Sequence, residues 1–290
     1  MAARMRAALA TALLACAGQA VADEDEPGWL TRAKAEPARV EVRGDTLYYT
    51  GNISKASTQA FDAAVVGVAP GQLTRMVVSS GGGDTVEGRH VGRWVHRMGL
   101  VVEVDAICFS SCADYVFPAG RARVIRTDAW VGWHGNERQF AVLAARHGVT
   151  LADEMHRFVP PNTPTAQADA FVRELGESLA VTGKDEADFY AELGLDDAFA
   201  VCAVGDELEE RFGFTGRKGW GFSVEDMVRL GLTNTVYLGS GRYEQDSAGF
   251  LRYLARISAE DCRQLLPPPT PSPDHCACAP ASPALRPCAG

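Results

Sequence analysis

Val77-Val78-Ser79-Ser80-Gly81-Gly82-Gly83-Asp84 is a β-branched run that meets three consecutive glycines and then an aspartate placed three residues before Glu87. The spacing predicts a short buried strand over Arg75 to Ser79, a glycine turn, and a helix capped by Asp84, on which Val91, Trp94, Val95 and Met98 recur at helical intervals. Consecutive glycines at a strand end allow positive φ and close backbone approach, so their N–H groups can face a developing anion. A plain strand-to-helix turn uses the same residues. A nucleotide loop is disfavoured, because neither Gly-Lys-Ser/Thr nor the GxGxxG spacing is present.

Working outward, Val40 to Ile53 reads as a hairpin turning at Gly44-Asp45, followed by a helix from about Thr58 to Val68. After the capped helix come a strand over Leu100 to Ala106, a short helix over Cys112 to Ala119, and strands over Ala122 to Ile125 and Ala129 to Trp133. Thr165 to about Leu193 is helical, and a capped helix from Ser223 to Leu230 precedes a strand from Thr233 to Leu238. Strands alternating with helices predict a largely parallel sheet in one α/β domain, residues 37 to about 258. Residues 23–36 read as an acidic linker and residues 259–290 as a Pro/Ala-rich tail.

Composition sets the limits. The chain has 290 residues, 47% of them apolar, which is enough for a sizeable core. Its formal charge is −9, and −11 without residues 1–22, which hold Arg4 and Arg6 and no acid. Such a surface repels phosphate backbones, so no nucleic-acid partner is expected. Arg4 and Arg6, the apolar stretch Ala7 to Ala17 and Ala20-Val21-Ala22 make a secretory signal pattern over residues 1–22, pointing to a periplasmic or secreted protein. Leu13-Leu14-Ala15-Cys16 is the competing lipoprotein reading, with Cys16 as the anchor. The mature chain carries Cys108, Cys112, Cys202, Cys262, Cys276, Cys278 and Cys288, an odd number whose connectivity stays open.

Two further stretches bear on chemistry. In Cys108-Phe109-Ser110-Ser111-Cys112-Ala113 a serine stands where a strand gives way to a helix, exposed to the partial positive charge of the helix start. Simple helix capping by Ser110 or Ser111 uses the same arrangement. In Trp130-Val131-Gly132-Trp133-His134-Gly135, strand alternation puts Trp130, Gly132 and His134 on one face. A helix of about 12 Å and a returning strand of about 17 Å bring His134 back beside Ser111.

These residues resemble the Clp protease proteolytic subunit and its wider crotonase-like superfamily, in particular a branch of exported bacterial proteins. In that peptidase a strand ends in Ser-Pro-Gly-Gly, a later strand turns into a helix at the nucleophilic serine, an Ala-Gly pair follows, and a strand delivers the histidine. Here Ser80-Gly81-Gly82-Gly83, Ser111, Ala119-Gly120 and His134 occupy those places, and Phe222 to Leu232 looks like the helix leading to the last strand. The resemblance implies a single-domain crotonase-like spiral of strand-strand-helix units. It implies Ser111 as nucleophile, His134 as base, and the N–H groups of Gly82 and Cys112 as oxyanion donors.

No cofactor, no metal and no ATPase partner are implied; the substrate is a peptide or protein, and a homo-oligomer is in keeping with the family. Where the family carries its acid, this chain has Arg217-Lys218-Gly219-Trp220-Gly221, which leaves Asp206 or Glu207 as substitutes. If Cys108 and Cys112 stay reduced, Cys112 is a competing nucleophile; if they pair, the bond stiffens the turn. A non-catalytic relative that binds an extended peptide or an envelope partner is the second expectation. An acyl-thioester enzyme is the third, disfavoured by export away from coenzyme A.

Overall fold

The computed structural model describes residues 28–205 and 207–267. A helix, α1 (Gly28–Ala33), leads into the hairpin β1 (Arg39–Arg43) and β2 (Thr46–Thr50), which turns at Gly44 and Asp45. Next come α2 (Lys55–Val65), β3 (Arg75–Ser80) and α3 (Thr85–Met98). Asp84 caps α3 by accepting from the Glu87 N–H at 2.9 Å, and α2 begins at Lys55 because the Ser54 hydroxyl accepts from Ser57 N–H.

The long strand β4 (Val101–Phe109) turns into a π-helical turn (Cys112–Val116) that continues as α4 (Phe117–Ala119). Then follow β5 (Ala122–Ile125), β6 (Trp130–Gly132), α5 (Gln139–His147), α6 (Leu151–His156) and α7 (Thr165–Leu193). The chain ends in α8 (Ala198–Val201), α9 (Glu207–Phe212), β7 (Gly219–Gly221), α10 (Val224–Arg229), β8 (Thr235–Tyr237), α11 (Tyr243–Asp246), α12 (Ala248–Tyr253), β9 (Leu254–Arg256) and α13 (Ala259–Leu265).

The main sheet runs β1-β2-β3-β4-β5-β8, antiparallel only between β1 and β2, with β6 also paired to β4. This is a mixed α/β fold in one domain, built of strand-strand-helix units. The register places the site. The first half of β4 pairs with β5 and its second half with β6, so Ser80, Cys108 and Val131 lie side by side. The ends of β3, β4 and β6 therefore release the glycine bend, the serine pair and His134 at one edge of the sheet, where crevices of parallel sheets open.

A second sheet of two strands, β7 and β9, is joined to the first by a bridge between Trp133 and Trp220. Trp130, Trp133, Phe199 and Phe222 fill the core between them.

The ordered body reaches past both expected edges. Leu30 and Ala33 of α1, inside the stretch read as a linker, are buried in the core. Residues 259–265, read as the start of the tail, form α13, tied down by a disulfide between Cys202 and Cys262. One apolar contact pair and one covalent bridge anchor segments whose composition alone looked loose. The signal pattern, Cys16 and the cysteines 276, 278 and 288 lie outside the described residues. Among those residues, no helix is long and apolar enough to cross a membrane.

Candidate functional site

Between β4 and the π turn, Ser110 takes a left-handed φ of 57°, uncommon for a non-glycine residue. Its amide donates to Gly132 O at 3.2 Å, its carbonyl accepts from Asp114 N–H at 2.8 Å, and the side chain is thrown sideways off the strand. Ser110 Oγ lies 2.7 Å from His134 Nε2. Ser111, the serine expected to meet the histidine, points elsewhere: its hydroxyl donates to Gly83 O at 2.7 Å.

The left-handed φ falls on Ser110, so the hydroxyl that meets the imidazole is that of residue 110, while Ser111 sits one residue later as N-cap of the π turn in which Phe117 N–H bonds to Cys112 O.

Gly82 lies against both serines. At its φ of +90°, a Cβ would meet Phe109 O at 2.5 Å, Ser110 Cβ at 2.6 Å and Ser111 N at 2.9 Å. The expected convergence of glycine bend, serine turn and histidine is therefore present. The Gly82 N–H, expected to be an oxyanion donor, donates to Ser80 Oγ at 3.1 Å. Cys112, the other expected donor, opens the π turn and is joined to Cys108 by a disulfide, so it offers no thiol. Ser111 precedes it as N-cap, in the part of a helix whose N–H groups have no acceptor in their own helix.

His134 is held on two sides. Its ring stacks on Phe109 with centroids 4.9 Å apart, and Trp133 exchanges both backbone hydrogen bonds with Trp220. That pins Gly219 and Trp220, in the stretch expected to lack an acid, against Trp133 and the Cβ of His134. At Gly219 a Cβ would meet Trp133 O at 2.0 Å and His134 Cβ at 3.3 Å, so no acidic side chain fits there. Among the described residues no carboxylate bonds to His134; Asp206 falls outside them, and Glu207 opens α9. Burial pushes the imidazole down to about 4, which keeps it neutral at pH 7.

Behind the turn lies a polar layer that the sequence reading missed. Arg89 of α3, fully buried, donates through Nε to Asp185 Oδ2 at 2.6 Å and through Nη1 to Glu137 Oε1 at 3.1 Å. The Tyr115 hydroxyl donates to Glu186 Oε1 at 2.5 Å. Burial raises Glu186 to about 7 and holds Asp114 well above the usual carboxylate range, with the neighbouring Glu186 and Asp197 adding to it. Among the described residues, no group of acids, histidines and cysteines is arranged to hold a metal ion.

Ser110 is 7% exposed. Two clefts, of about 490 and 250 Å³, open elsewhere on the described surface, the first between α3 and α7 and the second beside Gly120.

No protein-family model matches the sequence, and no curated protein matches it. Among solved structures, the chain is similar to an enoyl-CoA hydratase from Thermoplasma volcanium, at 11% identity and a TM-score of 0.28, over 34% of this chain and 51% of that one. It is similar also to an enoyl-CoA hydratase from Mycobacterium avium subsp. paratuberculosis, at 10% identity and a TM-score of 0.30, over 54% and 82% of the two chains. A third is methylmalonyl CoA decarboxylase complexed with 2S-carboxypropyl CoA, at 8% identity and a TM-score of 0.29, over 69% and 89%. The chain spans about half the length of the first of these.

Proposed function

We propose that this chain is an exported serine-type hydrolase acting on peptide or protein substrates, with Ser110 as nucleophile and His134 as its general base. The observation that carries the reading is the 2.7 Å contact between Ser110 Oγ and His134 Nε2 at a strained strand-to-helix turn. With the imidazole proton on Nδ1, Nε2 accepts the hydroxyl hydrogen as Oγ attacks an acyl carbon. The Ser111 N–H, next after the nucleophile and beside Gly82, is the oxyanion donor in this reading. The Gly82 N–H joins it if it exchanges the Ser80 hydroxyl for the oxyanion.

His134 then returns the proton to the leaving group, and water releases the acyl-enzyme by the same route. An imidazole with a depressed pKa is a weak base, and among the described residues no carboxylate bonds to it; loss of an orienting carboxylate lowers rates by orders of magnitude, so slow turnover is expected. The peptide substrate class comes from the resemblance to the Clp peptidase, and export from the signal pattern. Two disulfides, Cys108–Cys112 and Cys202–Cys262, accord with an oxidising compartment.

The test is a fluorophosphonate probe on the purified chain, with the labelled peptide mapped by mass spectrometry. Labelling at Ser110 that disappears in Ser110→Ala and persists in Ser111→Ala supports the reading. Labelling lost only in Ser111→Ala returns the nucleophile to residue 111. A folded chain that takes no label favours the peptide- or partner-binding reading over the hydrolase.

A further inference from the structure

We infer that the Cys108–Cys112 disulfide is the positioning device of the Ser110–His134 pair, holding the serine in its left-handed conformation so that its hydroxyl faces the imidazole. The inference rests on the reading of Ser110 as nucleophile.

The bridge closes a ring of five residues, Cys108-Phe109-Ser110-Ser111-Cys112, with Ser110 at its centre. Its ends belong to different elements, Cys108 to β4 and Cys112 to the π turn, and their Cα atoms lie 5.1 Å apart. Both cysteines are fully buried in the core, while Ser110 between them keeps 7% exposure.

The alternative available to the turn is the ordinary one. L-residues other than glycine disfavour positive φ, and a serine released from its ring relaxes toward the extended region, continuing β4. Strand alternation then redirects the side chain, and Oγ leaves His134. Two backbone hydrogen bonds, from Ser110 N–H to Gly132 O and from Asp114 N–H to Ser110 O, act on the same residue, and the ring adds a covalent restraint to them. The second disulfide, Cys202–Cys262, ties α13 to the end of α8 and is no part of this turn. Removing the first bridge therefore acts on the site while the second still anchors the fold. Cross-linked turns of this size also narrow the conformations the unfolded chain can reach, so some loss of stability accompanies the local effect.

The experiment compares wild type with a Cys108→Ala/Cys112→Ala variant that keeps the second bridge, by two readouts. One is the fluorophosphonate labelling rate at Ser110. The other is the titration of the His134 imidazole followed by NMR, assigned by its absence in His134→Gln, which needs no catalysis. The expected result is at least a tenfold slower labelling together with a measurable rise in the His134 midpoint, since the neutral Nε2 loses the Ser110 hydroxyl as donor, at unchanged circular dichroism. Labelling within twofold of wild type and an unmoved midpoint overturn the inference.

If wild type takes no label but the midpoint still moves, the hydrolase reading falls and the positioning role stands. If wild type takes no label and the midpoint stays, both fall. Should the variant lose its helical signal, wild type titrated with a phosphine reductant, its bridges mapped by mass spectrometry, is read in the same two ways. Recovery of both readouts on reoxidation supports the role, and loss of the bridge without either change refutes it.

Discussion

Ser110 and His134 meet at 2.7 Å through Oγ and Nε2, while the adjacent Ser111 spends its hydroxyl on the carbonyl of Gly83. The two serines thus divide the labour of the turn. Ser111→Ala is expected to leave fluorophosphonate labelling within a few-fold of wild type and to lower stability by about 1 kcal/mol, since the part-buried Gly83 carbonyl loses its donor. Denaturant melts of the variant beside Ser110→Ala check it; a Ser111→Ala chain as stable as wild type but unlabelled contradicts the division.

The depressed His134 sets a pH profile. The imidazole stays neutral until about pH 4, whereas an exposed histidine takes up its proton near 6.5. Labelling at Ser110 is therefore expected to hold steady from pH 7 down to about 5 and to fall below it. Stability follows the same group with a worked sign. Between about 6.5 and 4 the unfolded chain binds the proton and the folded chain does not, so stability is lost as pH falls through that window. Thermal melts of wild type and His134→Gln between pH 4 and 7 measure it, and the variant should lose less over the interval.

How much of this was legible in the sequence depends on the range of the signal. The strand, glycine bend and Asp84 cap around residues 75–84 are specified locally, by β-branched residues, consecutive glycines and a capping side chain, and all are present. The partner of His134 was off by one residue because it hangs on the left-handed φ of Ser110, and nothing in Cys108-Phe109-Ser110-Ser111-Cys112 announces which serine takes it. The small β7–β9 sheet was invisible for another reason: Gly219-Trp220-Gly221 is too short to show alternation and gains its partner 35 residues later. Glu186 is one of several acids on the long helix Thr165–Leu193, and only packing against Tyr115 makes it a buried acid.

The glycine bend gives a paired test. At Gly82 an added methyl meets backbone and Ser110 Cβ at 2.5–2.9 Å, and the φ of +90° is itself unfavourable for alanine. Gly82→Ala is expected to destabilise by about 3 kcal/mol or more and to abolish labelling. At Gly81 the nearest atoms to an added Cβ are 3.7–3.8 Å away, so Gly81→Ala should fold and label like wild type. Equal behaviour of the two variants in melts and labelling would remove the bend from the account.

Glu186 makes the last case. Its carboxyl is buried beside Glu137, accepts the Tyr115 hydroxyl, and has the Arg89 guanidinium at 3.9 Å. Burial, opposed by the tyrosine hydrogen bond, raises it from 4.5 to about 7. In the unfolded chain it ionises near 4.5, so between about pH 4.5 and 7 the folded state holds a proton that the unfolded state has released. The folded state is favoured below that window, and the advantage is lost as pH rises through it, by about 3 kcal/mol in total at the order-of-magnitude level. This runs opposite to His134, and over pH 4.5–6.5 the two slopes largely cancel in wild type. Glu186→Gln keeps an acceptor for Tyr115 but cannot ionise, so the cancellation ends. The variant should gain stability relative to wild type as pH rises from 5 to 7.5, read as a difference in melting temperature that grows with pH. A difference that stays constant across that range would mean that Glu186 is already ionised in the folded protein, with Arg89 as its effective counter-ion.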